Sequence, residues 1–363
     1  MKTSYSLLIM LTIFTLAENA WSTITNYLPF FEKCATSDSL LNKSQNVRIC
    51  FWNIENLYDP YDDTTRLDDE FTSGGTRHWN YTKFSRKLNH LAKTIIAMGR
   101  WSPPAVIGMC EVENRYVLNK LIYQTPLASL NYKFVHHESP DLRGIDVALI
   151  YRPSQFYLLG SKSVRIQFPF DTLVQTREIL MVTGLLFGTD TLTVFVNHWP
   201  SRRGGSLESQ PRRNYVATVL RKLVDSVIST RQLANILIMG DFNDEPNDES
   251  LSVVLGAATS TSNTTESKLI NLMGPKTGRE GTHKFQGNWA ILDQFIVSRT
   301  LLYGRNKIQT GFDKVAIFKP GFLLKEDLRF FGSKPSRTFN GPKYEGGFSD
   351  HLPVFLDIIK IGW

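Results

Sequence analysis

Leu237-Ile-Met-Gly-Asp-Phe-Asn-Asp-Glu-Pro-Asn-Asp248 joins an apolar run to an acidic turn. Ile236 to Met239 are four apolar residues in a row, the mark of a strand buried on both faces. After Gly240 the chain enters a turn crowded with Asp, Asn and Pro. Alternate residues of a strand point the same way, so Asp241 and Asn243 are aimed at one point beyond the strand's carboxyl end. A carboxylate beside an amide can hold a water and a phosphate oxygen together. Alone, the stretch reads equally as an ordinary Asp/Asn turn behind a core strand.

The same pattern recurs on both sides of it. Val47-Arg-Ile-Cys-Phe-Trp52 is a strand that ends in Asn53-Ile-Glu-Asn56, with Asn53 and Glu55 co-directional if the strand persists. Ala105-Val-Ile-Gly-Met-Cys110 ends in Glu111-Val-Glu-Asn114. A carboxylate closing an apolar strand costs several kcal/mol unless it is paired or metal-bound. Arg143-Gly-Ile-Asp146 leads into a strand over 147–151, and Tyr132 to His136 forms another. His136 and His137 are adjacent, point oppositely and read as surface histidines. A hairpin over 178–187 and 191–197 delivers Asn197-His198-Trp-Pro200 to a flexible cationic lip containing Arg202 and Arg203. Trp289 to Val297 reads as a strand in which Asp293 stands among apolar residues and needs a partner. Phe348-Ser-Asp350-His351 opens the final strand.

Between these strands, Phe84, Leu88, Leu91, Ile95 and Met98 recur at helical spacing in a helix that begins at Tyr81. Further helices are expected from Arg115 to Tyr123, from Ser209 onward, and briefly over 249–255. Strand, acidic turn and helix follow one another twice, which argues for a layered α/β core. The acidic loop from Asp59 to Glu70 reads as a solvated insertion, and Lys319 to Gly347 as a long loop.

Of 363 residues, 42% are hydrophobic and 21% charged, a globular balance that excludes disorder. The net charge of +7 suits an anionic partner without requiring one. Lys2 followed by the apolar run Leu7 to Ala17 resembles a secretory signal and is too short to span a membrane. The expected division is a signal peptide over 1–20, a lead-in over 21–45 and one domain over 46–363. Such a product is secreted or periplasmic and has no stable membrane association. Cys34, Cys50 and Cys110 are too few for a disulfide framework and lack zinc-site spacing.

No Ser or Cys stands beside a base in a nucleophile turn, which counts against acyl transfer. Many carboxylate and amide oxygens with few histidines favour a hard ion, magnesium or manganese. Such an ion neutralises phosphate charge and activates water.

Trp52-Asn53-Ile-Glu-Asn56, Glu111-Val-Glu-Asn114, Asn197-His198-Trp-Pro200, Gly240-Asp-Phe-Asn243, Leu292-Asp293-Gln294 and Ser349-Asp350-His351 occur in one order at strand ends. The set resembles the endonuclease/exonuclease/phosphatase superfamily, with the fold of the pancreatic-type deoxyribonuclease. The resemblance implies an α/β fold, a four-layered α-β-β-α sandwich of two packed mixed sheets flanked by helices. It implies that Glu111 binds the metal, with Asn53 and Asp350 close to it. Asp293 would orient His351 against the scissile phosphate, and Asp241 with Asn243 would position or deprotonate the attacking water. His198 matches the second histidine of the deoxyribonuclease branch, a general acid or phosphate ligand. Asp146 lies near the place of that histidine's carboxylate partner, and Arg177 resembles the branch's phosphate-binding Arg. Glu113 departs from the pattern, since some nucleases carry a DNA-contacting Arg there. The phosphatase branch has Trp and Asn-Tyr-Arg around the central Asp, whereas here Met239, Asn243, Asp244 and Glu245 stand there. The expected activity is metal-dependent phosphodiester hydrolysis of nucleic acid, DNA first, with Arg202 and Arg203 on the substrate. A sphingomyelinase-like or other phosphoesterase is the alternative, with aromatic residues between Phe318 and Phe331 available to meet a membrane.

Overall fold

The computed structural model describes residues 46–100, 102–202, 204–261 and 268–361. The expected signal and lead-in, Cys34 and Arg203 lie outside the described residues. Gln45–Trp363 is one compact unit.

Two seven-stranded sheets make up its centre. In the first, β1 (Asn46–Leu57) pairs in parallel with β2 (Val106–Val112) and antiparallel with the final strand, Val354–Lys360. Beyond β2 come β4 (Asp146–Tyr151) and then β3 (Lys133–His136). In the second, β5 (Phe156–Val164), β6 (Ile179–Leu186), β7 (Asp190–His198) and β8 (Asn235–Asp241) lie side by side, followed by Asp293–Ser298. Both central strand pairs, β1 with β2 and β7 with β8, are parallel. Their carboxyl ends, and the polar residues on them, therefore come out at one rim.

Alternation within β8 shows why its apolar run was needed. Leu237 and Met239 join the core between the sheets, with Phe51 and Met109 of the first sheet. Ile236 and Ile238 face the other way, into a second core with Val216, Ala217, Leu220 and Val224 of helix α3 (Ser206–Thr230). Helix α1 (Tyr81–Gly99) buries Phe84, Leu88, Leu91, Ile95 and Met98, with Asn80 capping its start by accepting from the Lys83 N–H. Helix α2 (Arg115–Tyr123) starts where Asn114 accepts from the N–H groups of Tyr116 and Val117. With α1 on the first sheet and α3 on the second, the layers run helix, sheet, sheet, helix, as expected. Among the described residues no helix is long and apolar enough to cross a membrane.

Several local expectations give way. The strand through Asp293 is two pieces: Asn288–Ala290 pairs with His283–Phe285, and a new strand begins at Asp293. Edge strand β5 was not anticipated because most of its residues are at least partly exposed and it lacks clean alternation. The loop from Asp59 to Glu70 is not wholly solvated. Asp59 and Asp68 are buried, and Asp59 accepts from the Asn114 amide at 3.0 Å. The stretch 319–347 carries two small hairpins, Leu324–Glu326 with Ser333–Pro335 and Phe339–Asn340 with Lys343–Tyr344. The turn of helix over Ser250–Val254 is a π-helix.

Gly240 sits where β7 and β8 meet most closely: a Cβ there would stand 2.5 Å from the Asn197 carbonyl oxygen. Gly240→Ala is expected to destabilise the fold by about 1–3 kcal/mol, the usual cost of overpacking a core. A lower denaturation midpoint with unchanged slope is the expected reading; an unchanged midpoint would refute the close packing.

Candidate active site

The rim is built from strand ends that leave regular geometry. Glu55, Asn56, Glu111 and Asn243 are all non-glycine residues with positive φ, at 49°, 51°, 63° and 51°. Such conformations cost of order 1–3 kcal/mol each and persist where surrounding contacts impose them. On β1 the ladder slips between Asn53 and Leu57, so Asn53 and Glu55 do not stay co-directional. Asn53 turns to the site, where its amide donates to Asp241 at 3.0 Å and approaches Glu111 at 3.5 Å. Glu55 is drawn to the loop beyond it, accepting from the Thr338 N–H at 2.6 Å and pairing with Arg337.

In the second sheet, register decides which groups meet. His198 of β7 is level with Asp241, and Asp241 is level with Asp293 on the opposite side. Asp293 is fully buried and pairs with Nδ1 of His351 at 2.7 Å. Nε2 of His351 and Nε2 of His198 each lie 3.8 Å from the same oxygen of Asp241. That distance is ion-pair range but too long for a hydrogen bond, so each ring keeps a nitrogen for another partner. Both rings converge on the Asp241 carboxylate.

The two histidines differ in charge. Burial works against a charged His351, but Asp293, Asp241 and Asp350 together outweigh it and hold its pKa well above the ordinary value. Burial, reinforced by Arg177, Arg143 and His351, pushes His198 well below the ordinary value. Its Nδ1 has no hydrogen-bond partner among the described residues. The surroundings therefore favour the imidazolium at His351 and the neutral imidazole at His198. Burial likewise raises Asp241 to about 6, with Asp293 adding to the effect and His351 opposing it.

Asn243 receives an order of its own. Its N–H donates to Asp241 at 3.0 Å, and its side-chain amide donates to the Trp199 carbonyl at 3.0 Å. Glu111 accepts from the Asn56 N–H at 2.8 Å and keeps its side chain partly exposed, 3.9 Å from both His198 and Arg143. The hard oxygens of Glu111, Asn53 and Asp241 suit a divalent cation. Asp241, Asp293 and His351 also bring ligand atoms within 4.8 Å of one another, as do Cys110, His198 and Asp241. Asp350 is committed to Arg337 at 2.9 Å.

Other expected residues are placed differently. Asp146 is not seen paired with His198: it meets His136 at 3.1 Å and accepts from the Ser139 N–H at 2.9 Å. His136 is accordingly buried, not a surface histidine. Arg177 is a half-buried strut, pairing with Asp141 at 3.1 Å and donating to the Trp199 carbonyl at 2.7 Å. Arg202 is no flexible lip. It donates to the Asn243 carbonyl at 2.6 Å and pairs with Asp244 and Asp248, so it braces the central turn from outside. Glu113 is buried, accepts from the Asp59 N–H and is raised to about 9 by burial.

Four contributors escaped the sequence reading. Arg143 donates to the Asn56 side chain at 2.6 Å and stands by Glu111. The Thr282 hydroxyl accepts from the N–H groups of Leu292 and Asp293, both at 3.1 Å. Ser349 donates to the Asn53 carbonyl at 2.7 Å while accepting from the His351 N–H at 3.0 Å. The His283 ring lies 4.6 Å from that of His351. A hydroxyl or arginine in a loop carries no periodic signal, and only the pairing in space exposes it.

The sequence profile of the Endonuclease/Exonuclease/phosphatase family matches residues 48–360. The chain belongs to this family. Solved family structures share its fold at low identity. A D. rerio TDP2 complexed with single strand DNA product is 16% identical, with TM-score 0.50, covering 86% of this chain and 98% of its own. The human Nocturnin catalytic domain with bound sulfate is 17% identical, with TM-score 0.51, covering 88% and 96%. The Bacteroides thetaiotaomicron mannosyl-6-phosphatase Bt3783 is 13% identical, with TM-score 0.52, covering 86% and 97%. No curated protein sequence matches the chain. Family membership makes the chain a hydrolase of phosphodiester or phosphate esters.

The pairing of Asp293 with His351 has a direct test. In Asp293→Ala the His351 ring loses its nearest carboxylate while its burial remains, so its NMR titration midpoint must fall. Turnover should fall by at least about 10²-fold in Asp293→Ala and in His351→Ala. The double variant should lose little more than either alone. An unmoved midpoint or additive losses would separate the two residues.

Proposed function

We propose that this chain is a magnesium- or manganese-dependent phosphodiesterase acting on nucleic acid, with DNA the favoured substrate. One observation carries the reading: the imidazoles of His198 and His351 each stand 3.8 Å from the same oxygen of Asp241, in surroundings that favour the neutral form of the first and the charged form of the second. Hydrolysing a diester requires charge stabilisation on the phosphate, a positioned water and proton transfer at the leaving oxygen. His351, held by Asp293, hydrogen-bonds the phosphate through Nε2 and gives that proton to the leaving oxygen. Asp241 and Asn243 position the water, and Asp241 takes its proton. His198 enters neutral and accepts a hydrogen bond or proton beside the phosphate. When bound through Glu111 and Asn53, a divalent ion would supply neutralisation of the phosphate's charge. The net charge of +7 suits a polyanion.

Asp241 must be deprotonated to act as a base, so activity is present above a pH of about 6 and lost as pH falls through it. Asp241→Asn should lower turnover of plasmid DNA by at least about 10²-fold and remove that acid limb. Glu111→Gln should weaken magnesium binding in calorimetry and lower activity with the fold intact. Full activity in excess chelator would reject metal dependence. Plasmid, RNA and sphingomyelin offered side by side distinguish nucleic acid from lipid. Export rests on the apolar run Leu7 to Ala17. N-terminal sequencing of exported protein is expected to start near Trp21, and a start at Met1 would contradict it.

A further inference from the structure

One small hairpin stands beside His351 with a second joined to it, and among the described residues the apolar side chains at their tips are left exposed. His283–Phe285 pairs with Asn288–Ala290, and Leu324–Glu326 pairs with Ser333–Pro335. Phe285 is 66% exposed, Leu328 83% and Phe331 84%. Scattered exposed apolar residues are ordinary, but three on adjoining tips are not scattered.

The tips are held rigidly together. Lys284 of the first hairpin pairs with Asp327 of the second at 3.0 Å, both side chains being buried. The same ammonium donates to the Phe331 carbonyl at 2.8 Å. Lys334 also pairs with Asp327, at 3.3 Å. Phe330 packs over the turn at Gly287, where a Cβ would meet its own Cβ at 3.2 Å. Phe331 has φ 59°, a conformation uncommon for any side chain and especially for a bulky one. Buried charge, a packed turn and a strained backbone are thus spent on displaying a ring to solvent.

The position relates the rings to the chemistry. His283 opens the first hairpin, forms a β-bridge to His351 and lies against its ring. Phe285 is two residues on, so it lies on the same face of the ribbon, about 7 Å further along. Of the six basic residues over 319–347, Lys319, Lys325, Lys334 and Arg337 are paired with carboxylates. Arg329 lies over the Phe330 ring at 5.1 Å with no acidic partner among the described residues.

We infer that the rings of Phe285 and Phe331, with Leu328 beside them as an apolar edge, form a stacking platform for unpaired bases of a single-stranded nucleic acid whose phosphate lies at His351. The inference rests on the nucleic-acid reading above and narrows it to substrates with exposed base faces. Aromatic rings beside cations are the means by which proteins hold single strands without reading sequence. A duplex hides its base faces and offers such rings little. A bilayer fits less well, because Arg329 and the irregular backbone of 327–332 would have to enter hydrocarbon with the rings.

The test uses the full chain in chelator, so that nothing is cut, and a labelled oligonucleotide as a single strand and as a duplex. In Phe285→Ser/Phe331→Ser, single-strand affinity should fall at least about ten-fold, with duplex affinity unchanged. With magnesium restored, hydrolysis of bis(p-nitrophenyl) phosphate should match the wild type. Phe331→Trp should keep single-strand affinity, whereas Phe331→Leu, with similar apolar character but no ring face, should lose it. This contrast stands even if the double variant folds poorly. Unchanged single-strand binding, or equal loss for single strand and duplex, would overturn the platform. So would loss confined to binding of phosphatidylserine vesicles, which would assign the tips to a lipid surface. A wild type that cuts neither DNA nor RNA would sink the parent reading and this inference with it. A wild type that cuts them while the variants bind single strands normally would sink this inference alone.

Discussion

Asp241 is level with His198 on one side and with Asp293 on the other, and that register organises the site. It is held past the ends of the strands themselves: the Trp199 N–H donates to the Asp241 carbonyl, and the Phe242 N–H to that of Leu292, both at 2.9 Å. A slip of one residue would turn Leu237 and Met239 out of the inter-sheet core and carry Asp241 to the opposite face. The same packing that fills the core therefore fixes which carboxylate lies between the two imidazoles. Chemistry and stability are tied at this strand, and neither can drift without the other.

Concentrating acids at a buried rim carries an electrostatic cost, and the chain meets it with cations from separate elements. Arg337 pairs with both Glu55 and Asp350. Lys87, buried in α1, donates to the Thr338 hydroxyl and the Phe348 carbonyl, and burial lowers its pKa to about 8. Glu55 then accepts from the Thr338 N–H, so helix, first strand and the loop before His351 are joined through one residue. Removing one member of such a network leaves another buried charge uncompensated, which typically costs about 3–5 kcal/mol. The loop bearing Asp350 and His351 is thereby set in place by groups that need never touch substrate.

The strand ends were legible in the sequence because burial on both faces leaves an unbroken apolar run, and a polar residue closing such a run must have a reason. Asn53, Glu111, His198 and Asp241 stand out on that ground, Asp293 as an acid among apolar residues and His351 in the Asp-His pair before the final strand, and the structure brings all six to one rim. Helices α1 and α2 were legible from their spacing and caps. What failed was any judgement about partners across space. On paper Arg202 belongs to a flexible cationic lip and Arg177 resembles a phosphate-binding Arg, whereas in the fold both are braced by carboxylates. Asp146 lies close in sequence to His136 and takes it as partner. Arg143, Thr282 and Ser349 act through single hydrogen bonds from loops, where neither periodicity nor composition marks them.

The fold accounts for phosphate chemistry but not for what carries the phosphate, since neighbours of similar architecture include a DNA-bound protein and a sugar phosphatase. The difference has to lie in parts the two sheets do not specify. In this chain the His283–Phe285 ribbon is such a part, and it is not an independent appendage. The Thr282 carbonyl accepts from the Leu352 N–H at 2.7 Å, and the Thr282 hydroxyl holds the backbone of Asp293. His283 then lies on His351, and Lys284 is anchored to the second hairpin. Three consecutive residues thus bind, in turn, the carboxylate strand, the His351 imidazole and the exposed tips. A ligand resting on the tips would meet a surface continuous with the backbone that sets Asp293 against His351. One short ribbon accordingly joins the setting of the imidazole to the exposed tips.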